Sequence, residues 1–225
     1  MLGLVTIGQS PRDDMVPEML PHLGAGPASV IERGALDGLD GDAIAALAPA
    51  PGAAHVLTTR LADGSSVVLD HDRTAGRVEA AVAWLEERGV DATVIVCTGE
   101  FPPLRHRRPL LFAERLLTRG VAGLCDPADP VGIVCPLPEQ EEMSRTKWSN
   151  VAGEINVAAA TPYAAGAAEA VAAAAGDLAA GGARWVVLDC MGYTEDMRAA
   201  AARAAGVPVL LARTVVARLA GEVHR

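Results

Sequence analysis

Two short stretches constrain this chain more than any others: Val94–Phe101 (VIVCTGEF) and Val187–Thr194 (VLDCMGYT). Each is an apolar, β-forming run that reaches a cysteine, then one residue, then glycine. A strand that carries a thiol to its C-terminal end, with glycine where backbone must approach closely, is how parallel α/β sheets build sites. The two cysteines, Cys97 and Cys190, fall in opposite halves of the 225-residue chain. Two half-domains, each presenting one thiol, follow as the first expectation.

The rest of the chain supports that organisation. Leu2–Ile7 (LGLVTI) is a continuous apolar run closed by Gly8, the form of a central parallel strand. The loop Gln9-Ser10-Pro11-Arg12 follows, then a helix with Pro17 in its first turn. Val30–Leu36 reads as a second strand and Asp40–Leu47 as a short helix ended by Pro49 and Pro51. His55–Leu61 and Ser66–Leu69 read as an antiparallel hairpin. A long helix capped by Asp72 or Thr74 runs to Arg88, with Val78, Val82 and Leu85 on one face. The first cysteine strand is Thr93–Cys97, and a helix is expected from about Pro109 to Arg119. A second half opens near Pro130 with Val131–Pro136 (VGIVCP), the counterpart of the opening run. It continues through a helix to about Trp148, a strand at 151–157 and an alanine-rich helix at 162–181. The second cysteine strand is Trp185–Cys190; a helix from about Glu195 to Ala205, a strand at 207–211 and a terminal helix follow. Strands alternating with helices indicate an α/β fold with parallel sheets. Lobe 1 is expected over 1–125 and lobe 2 over 130–208, with 209–225 packing back on lobe 1.

Composition narrows the function. The chain is 51% hydrophobic but only 3% aromatic, and its net charge is −9. An acidic chain is a poor match for nucleic acid or for an anionic membrane surface. No apolar stretch reaches the ~20 residues of a spanning helix, and the N-terminus lacks the charged start of a signal peptide. A cytoplasmic protein with reduced thiols is expected. Cys97, Cys125, Cys135 and Cys190 show no zinc spacing, so no metal is assigned. No phosphate loop of P-loop or dinucleotide-binding form follows the first strand, and no cofactor is assigned.

Two facing thiols allow one definite reaction. One thiolate takes a proton from the carbon beside a carboxylate, and the other thiol returns one to the opposite face. Negative charge then gathers on the carboxylate and needs donors. The candidate catalytic residues are Cys97 and Cys190. The candidate binding residues are Gln9, Ser10, Arg12, Thr98, Gly99, Glu100, Met191, Gly192 and Tyr193. Arg12 either offers a fork to a carboxylate or pairs with Asp13 or Asp14. Glu100 is a second base or a cap, and Asp189 most simply holds its loop. Cys135 competes with Cys190 for the second thiol, although Pro136 after it supplies no N–H. Cys125 has no β-run delivering it. His71 is a base or a structural residue, and the run Arg105–Arg108 is a gate for anions or a solvated loop.

Three stretches, LVTIGQSPRDD at Leu4–Asp14, VCTGEFP at Val96–Pro102 and DCMGYT at Asp189–Thr194, resemble the AroM family. That family is similar to the Asp/Glu/hydantoin racemase superfamily. The resemblance implies two pseudo-symmetric Asp/Glu racemase-like lobes with parallel sheets and a site in the cleft between them. It places the acid/base pair on Cys97 and Cys190. The chain departs from the racemase pattern in having Thr98-Gly99 where Asn-Thr is usual, and Met191-Gly192 where Thr-His is usual. Gln9-Ser10 stands where an early Asp is usual. The expected activity is a cofactor-independent isomerase, racemase or related lyase. The expected partner is a small carboxylate-bearing molecule, and a homodimer is left open. The alternative is a non-catalytic carboxylate-binding or regulatory protein on the same fold.

Overall fold

The structure, a computed structural model, describes residues 1–24, 26–53 and 55–223. Leu2–Thr6 forms β1, buried along its whole length, as a strand covered on both faces must be. Then come α1 (Val16–Leu23), β2 (Val30–Gly34), α2 (Gly41–Ala45), β3 (Val56–Arg60), β4 (Ser66–Asp70) and α3 (His71–Glu86). β5 (Ala92–Ile95), β6 (Leu110–Phe112) and α4 (Ala113–Ala122) follow. The second half holds β7 (Val131–Cys135), α5 (Glu141–Trp148), β8 (Ile155–Ala159), α6 (Ala167–Ala180) and β9 (Trp185–Leu188). α7 (Glu195–Ala205), β10 (Val209–Leu211) and α8 (Ala212–Gly221) complete the described elements.

The chain divides into two compact units, residues 1–114 with 217–225 and residues 115–216. In the first, a parallel sheet of order β2-β1-β5-β6 packs Val5, Ile7 and Ile95 against Val78, Val82 and Leu85 of α3. β3 and β4 pair antiparallel as a separate hairpin. In the second, a parallel sheet of order β10-β9-β7-β8 packs Val134, Val186 and Leu188 against Val171, Ala175 and Leu178 of α6.

Read from the second strand of each unit, the two sheets have one topology. In both, the first strand lies inside, flanked by the second on one side and by the two later strands on the other. The backbone repeats the match residue by residue. Val96 N–H donates to Val5 O at 2.9 Å, and Asp189 N–H donates to Val134 O at the same distance. Gly3 and Gly132 occupy equivalent places on β1 and β7. A Cβ at Gly3 would lie 2.9 Å from Leu85 of α3, and one at Gly132 2.9 Å from Leu178 of α6. The hairpin β3–β4 is an insertion into this plan, present in the first unit only.

Three details of the sequence reading are corrected. The segment expected to be helical from Pro109 first forms β6, parallel to β5, and turns helical at Ala113. A three-residue apolar run is too short to show its period, so pairing with a neighbouring strand decides it. The cap of α3 is neither Asp72 nor Thr74 but Asp70, whose carboxylate accepts from Arg73 N–H at 3.0 Å. β4 runs straight into α3, so the last strand residue does the capping. Both cysteine strands end two residues early, at Ile95 and Leu188, leaving Cys97 and Cys190 in the loops just beyond.

Candidate active site

In the first unit, β5 delivers Val96 and then Cys97 to the C-terminal edge of the sheet. The chain turns at once, and Gly99 N–H donates back to Cys97 Sγ at 3.4 Å. Glycine suits that turn, since a Cβ on residue 99 would lie 2.7 Å from Leu57 Cδ2 of the hairpin and push that methyl aside. Thr98 is buried and Glu100 points outward. The backbone carbonyl of Glu100 meets His71 Nε2.

The loop after β1 opens at the same sheet edge. Gly8 lies against β3, where a Cβ would come 2.5 Å from Arg60 O. Gln9 Oε1 accepts from Ala62 N–H at 2.8 Å. Ser10 gives both its N–H and its hydroxyl to the Asp37 carboxylate, at 2.8 and 2.6 Å. Arg12 is only 5% exposed. Its guanidinium holds Asp14 through Nε at 2.7 Å and through a second nitrogen at 2.9 Å, and reaches Thr6 Oγ1 at 2.9 Å. Of the two readings of Arg12, the pairing with Asp14 is therefore present, as a buried fork that fastens the loop to β1. Arg12 N–H also donates to Glu32 at 2.8 Å. Burial pushes the Glu32 carboxyl up despite that donor.

The second unit repeats the thiol turn. β9 delivers Asp189 and Cys190, and Gly192 N–H donates back to Cys190 Sγ at 3.4 Å. Here the glycine makes room for Tyr163: a Cβ on residue 192 would sit 2.7 Å from the tyrosine Cζ. The Tyr163 hydroxyl lies 4.0 Å from Cys190 Sγ. Met191 O accepts two bonds from the buried Arg213, at 3.0 and 2.8 Å. Tyr193 is fully buried and its hydroxyl donates to Ala160 O at 2.6 Å. Burial, then the charges of Cys190 and Cys135, raise its pKa well above that of a free phenol. Asp189 lies inward, held by Lys147 at 2.5 Å and by Trp148 Nε1 at 2.7 Å.

The other two cysteines have different surroundings. Cys135 ends β7, the place Thr6 takes on β1, and its S–H donates to Leu137 O at 3.4 Å. Burial pushes its thiol up to about 11, and burial with the Asp129 charge does the same at Cys125, also to about 11. By position in the sheet, Cys190 rather than Cys135 is the counterpart of Cys97. The run Arg105–Arg108 is fastened to α3: Arg105 pairs with Glu79 at 2.7 Å and Arg107 with Glu86 at 3.1 Å. Glu86 also accepts the backbone N–H groups of Arg107 and Arg108. Among the described residues no group of three or more His, Cys, Asp or Glu side chains is placed to hold a metal ion. No described helix is long and apolar enough to cross a membrane.

Sequence reading did not single out Tyr163, Lys147 or Arg213. Tyr163 carried the one available signal, since the apolar run at 155–160 ends in Thr161-Pro162-Tyr163 at a strand's C-terminal edge. Lys147 and Arg213 sit on helices whose spacing says nothing about what they reach.

A family model described as AroM protein matches residues 2–224. No curated protein sequence matches the chain. Among solved structures, the chain is similar to a glutamate racemase from Bacillus anthracis, with TM-score 0.63 and 12% identity over 99% of this chain and 80% of that one. It is similar to a liganded double mutant of arylmalonate decarboxylase, with TM-score 0.59 and 12% identity over 99% and 92%. It is also similar to allantoin racemase from Pseudomonas fluorescens, with TM-score 0.57 and 13% identity over 99% and 90%. At these identities the likeness is one of fold.

Proposed function

The chain belongs to the AroM family, on the fold of the Asp/Glu racemases, and we propose that it is a racemase- or isomerase-like enzyme using Cys97 and Cys190 for proton transfer. One observation carries this reading. Each thiol, two residues beyond the equivalent strand of its unit, accepts a backbone N–H from the glycine two residues on, at 3.4 Å in both. A donor aimed at sulfur stabilises the thiolate, the form needed to remove a proton from carbon. The same turn at both sites equips either sulfur to act as base while the other acts as acid. The solved structures of similar fold include two racemases and a decarboxylase by name.

The reaction is a proton exchange at the carbon next to a carboxylate. The thiolate of one cysteine takes the proton; the electron pair left on carbon spreads onto the carboxylate oxygens. The thiol of the other cysteine then protonates the carbon. The enzyme ends with its two sulfurs in swapped protonation states and resets through solvent. No redox group or metal is required for these steps. Thr98 and the N–H groups around Gly99 and Gly192 are the proposed donors for the developing charge. Tyr163, beside Cys190, takes the place of the histidine usual after the second cysteine and passes protons between that sulfur and solvent. The substrate is a small carboxylic acid.

The test is solvent deuterium incorporation at the α-carbon of small chiral carboxylic acids, followed by proton NMR. Cys97→Ser and Cys190→Ser each reduce it by at least about a hundredfold, while Cys125→Ser leaves it within twofold. Exchange retained in both single variants overturns the proposal. Binding of carboxylates without exchange by the unaltered protein leaves the non-catalytic reading in its place.

A further inference from the structure

His71 opens α3 with both ring nitrogens against oxygen. Nδ1 lies 2.8 Å from Asp72 Oδ1, and Nε2 meets the backbone carbonyl oxygen of Glu100. A peptide carbonyl only accepts. The Asp72 carboxylate is held below the usual carboxylate range, first by this imidazole bond and then by the imidazole charge, so it too accepts. A neutral imidazole has one N–H and would set a ring lone pair against one of the two oxygens. An imidazolium donates to both.

The ring grips two successive residues. It takes Glu100 by the backbone and lies on Phe101 at 5.5 Å between centroids, tilted by 31°. His55 meets it edge-on at 6.2 Å. These residues directly follow Cys97-Thr98-Gly99, in a stretch with no helix or strand between Ile95 and Leu110. Farther on, Glu79 and Glu86 fasten Arg105, Arg107 and Arg108. Nearer the thiol, His71 reaches the loop backbone at Glu100.

We propose that His71 is a positioning residue for Cys97: as an imidazolium it clamps the loop after the thiol, and loss of its proton loosens that loop. The inference rests on the reading of Cys97 as a reacting thiol, although the clamp itself does not. The charged and titratable groups around the ring are Asp72, which it meets, Asp70 at the cap of α3, and His55 edge-on ahead of β3. Arg73, next after Asp72 on α3, turns to Ala46 O, and Glu100 is held by its backbone. The N-terminal dipole of α3 opposes the imidazolium, and the two aspartates offset it. The direction follows from the bonding: an imidazolium donates to both oxygens, and a neutral ring to only one.

The test uses the full chain and needs no substrate. Amide hydrogen exchange of the segment 98–104, corrected for intrinsic rate, is compared with that of 190–194 from pH 5.5 to 8.5. In the unaltered protein, protection of 98–104 falls about tenfold across this range, and that of 190–194 is unchanged. In His71→Leu it is low and flat with pH; in His71→Gln, whose amide keeps one donor, it is intermediate and flat. Alkylation of Cys97, measured by mass spectrometry relative to Cys190, follows the same order. A pH-dependent protection that survives in His71→Leu, or protection equal to the unaltered protein at pH 5.5, overturns the clamp. Nitrogen-15 NMR of histidine-labelled unaltered protein tests it without a variant: both His71 nitrogens protonated at pH 5.5 supports it, and a neutral ring there overturns it. If the clamp is found but neither thiol supports deuterium exchange, the proposed function fails and this inference stands.

Discussion

At Gly192 the nearest side chain is a tyrosine ring, and at Gly99 it is a leucine methyl. Both glycines are favoured by closeness rather than by a left-handed backbone, since neither is among the residues with positive φ. Gly192→Ala drives a methyl group into the Tyr163 ring, with Cζ only 2.7 Å from the new carbon. Overpacking of this kind costs about 1–3 kcal/mol. The expected result is a lower urea midpoint together with loss of deuterium exchange, because Tyr163 must leave its place beside Cys190. Gly182→Ala is the control. Its φ of 101° strains the alanine backbone, but nothing lies within 4 Å of its Cβ, so it lowers stability without abolishing exchange. The cysteine-x-glycine frame could be read from the chain; the reason for the second glycine could not, because Tyr163 comes from the end of another strand.

At the scale of elements, α5 and the loop after β9 are joined by a buried ion pair. Asp189 and Lys147 have side chains 1% and 8% exposed, and Trp148 adds its indole N–H to the same carboxylate oxygen. Removing one member of a buried pair leaves an uncompensated charge and typically costs about 3–5 kcal/mol. Lys147→Met is therefore expected to lower stability by about 3 kcal/mol in urea unfolding. Adding Asp189→Asn, which keeps an acceptor for Trp148, recovers part of that loss. A double variant no more stable than Lys147→Met shows that the lysine acts through packing alone. The sequence placed Asp189 as a residue holding its own loop. It holds a helix as well, a long-range contact that no local pattern reports.

For the whole molecule, stability should be lost on the alkaline side. Cys125 and Cys135 are both pushed up from the ordinary thiol value of 9.0 to about 11, and burial raises Tyr193 in the same direction. A group whose folded value lies above its unfolded one keeps its proton longer in the native state. Its contribution is complete below about pH 9 and fades as pH rises toward about 11. Urea midpoints should fall steadily between pH 8.5 and 10.5, with Cys135 supplying on the order of 2 kcal/mol. Cys135→Ala is expected to show a shallower fall. A midpoint that stays level over this range contradicts the protonated, buried state of these groups.

The alternation of apolar runs and helices, and the recurrence of one strand-cysteine-glycine frame, were enough to specify a parallel α/β fold repeated in two halves. Those signals are local: strand period, helix period and turn residues act within a few positions of one another. β6 escaped because three residues carry no period, and the α3 cap was misplaced because a strand and a helix share their boundary residue. The tertiary structure alone decided which thiols hold equivalent places in the two sheets. Cys135 and Cys190 both follow apolar runs, but β7 takes the place of β1 and β9 that of β5, which makes Cys190 the equivalent of Cys97 in the repeat. It also decided that Arg12 clasps Asp14, that Tyr193 is buried on Ala160, and that Tyr163 stands beside Cys190. Each of these depends on side chains meeting from distant parts of the chain, and packing, not sequence spacing, sets those distances.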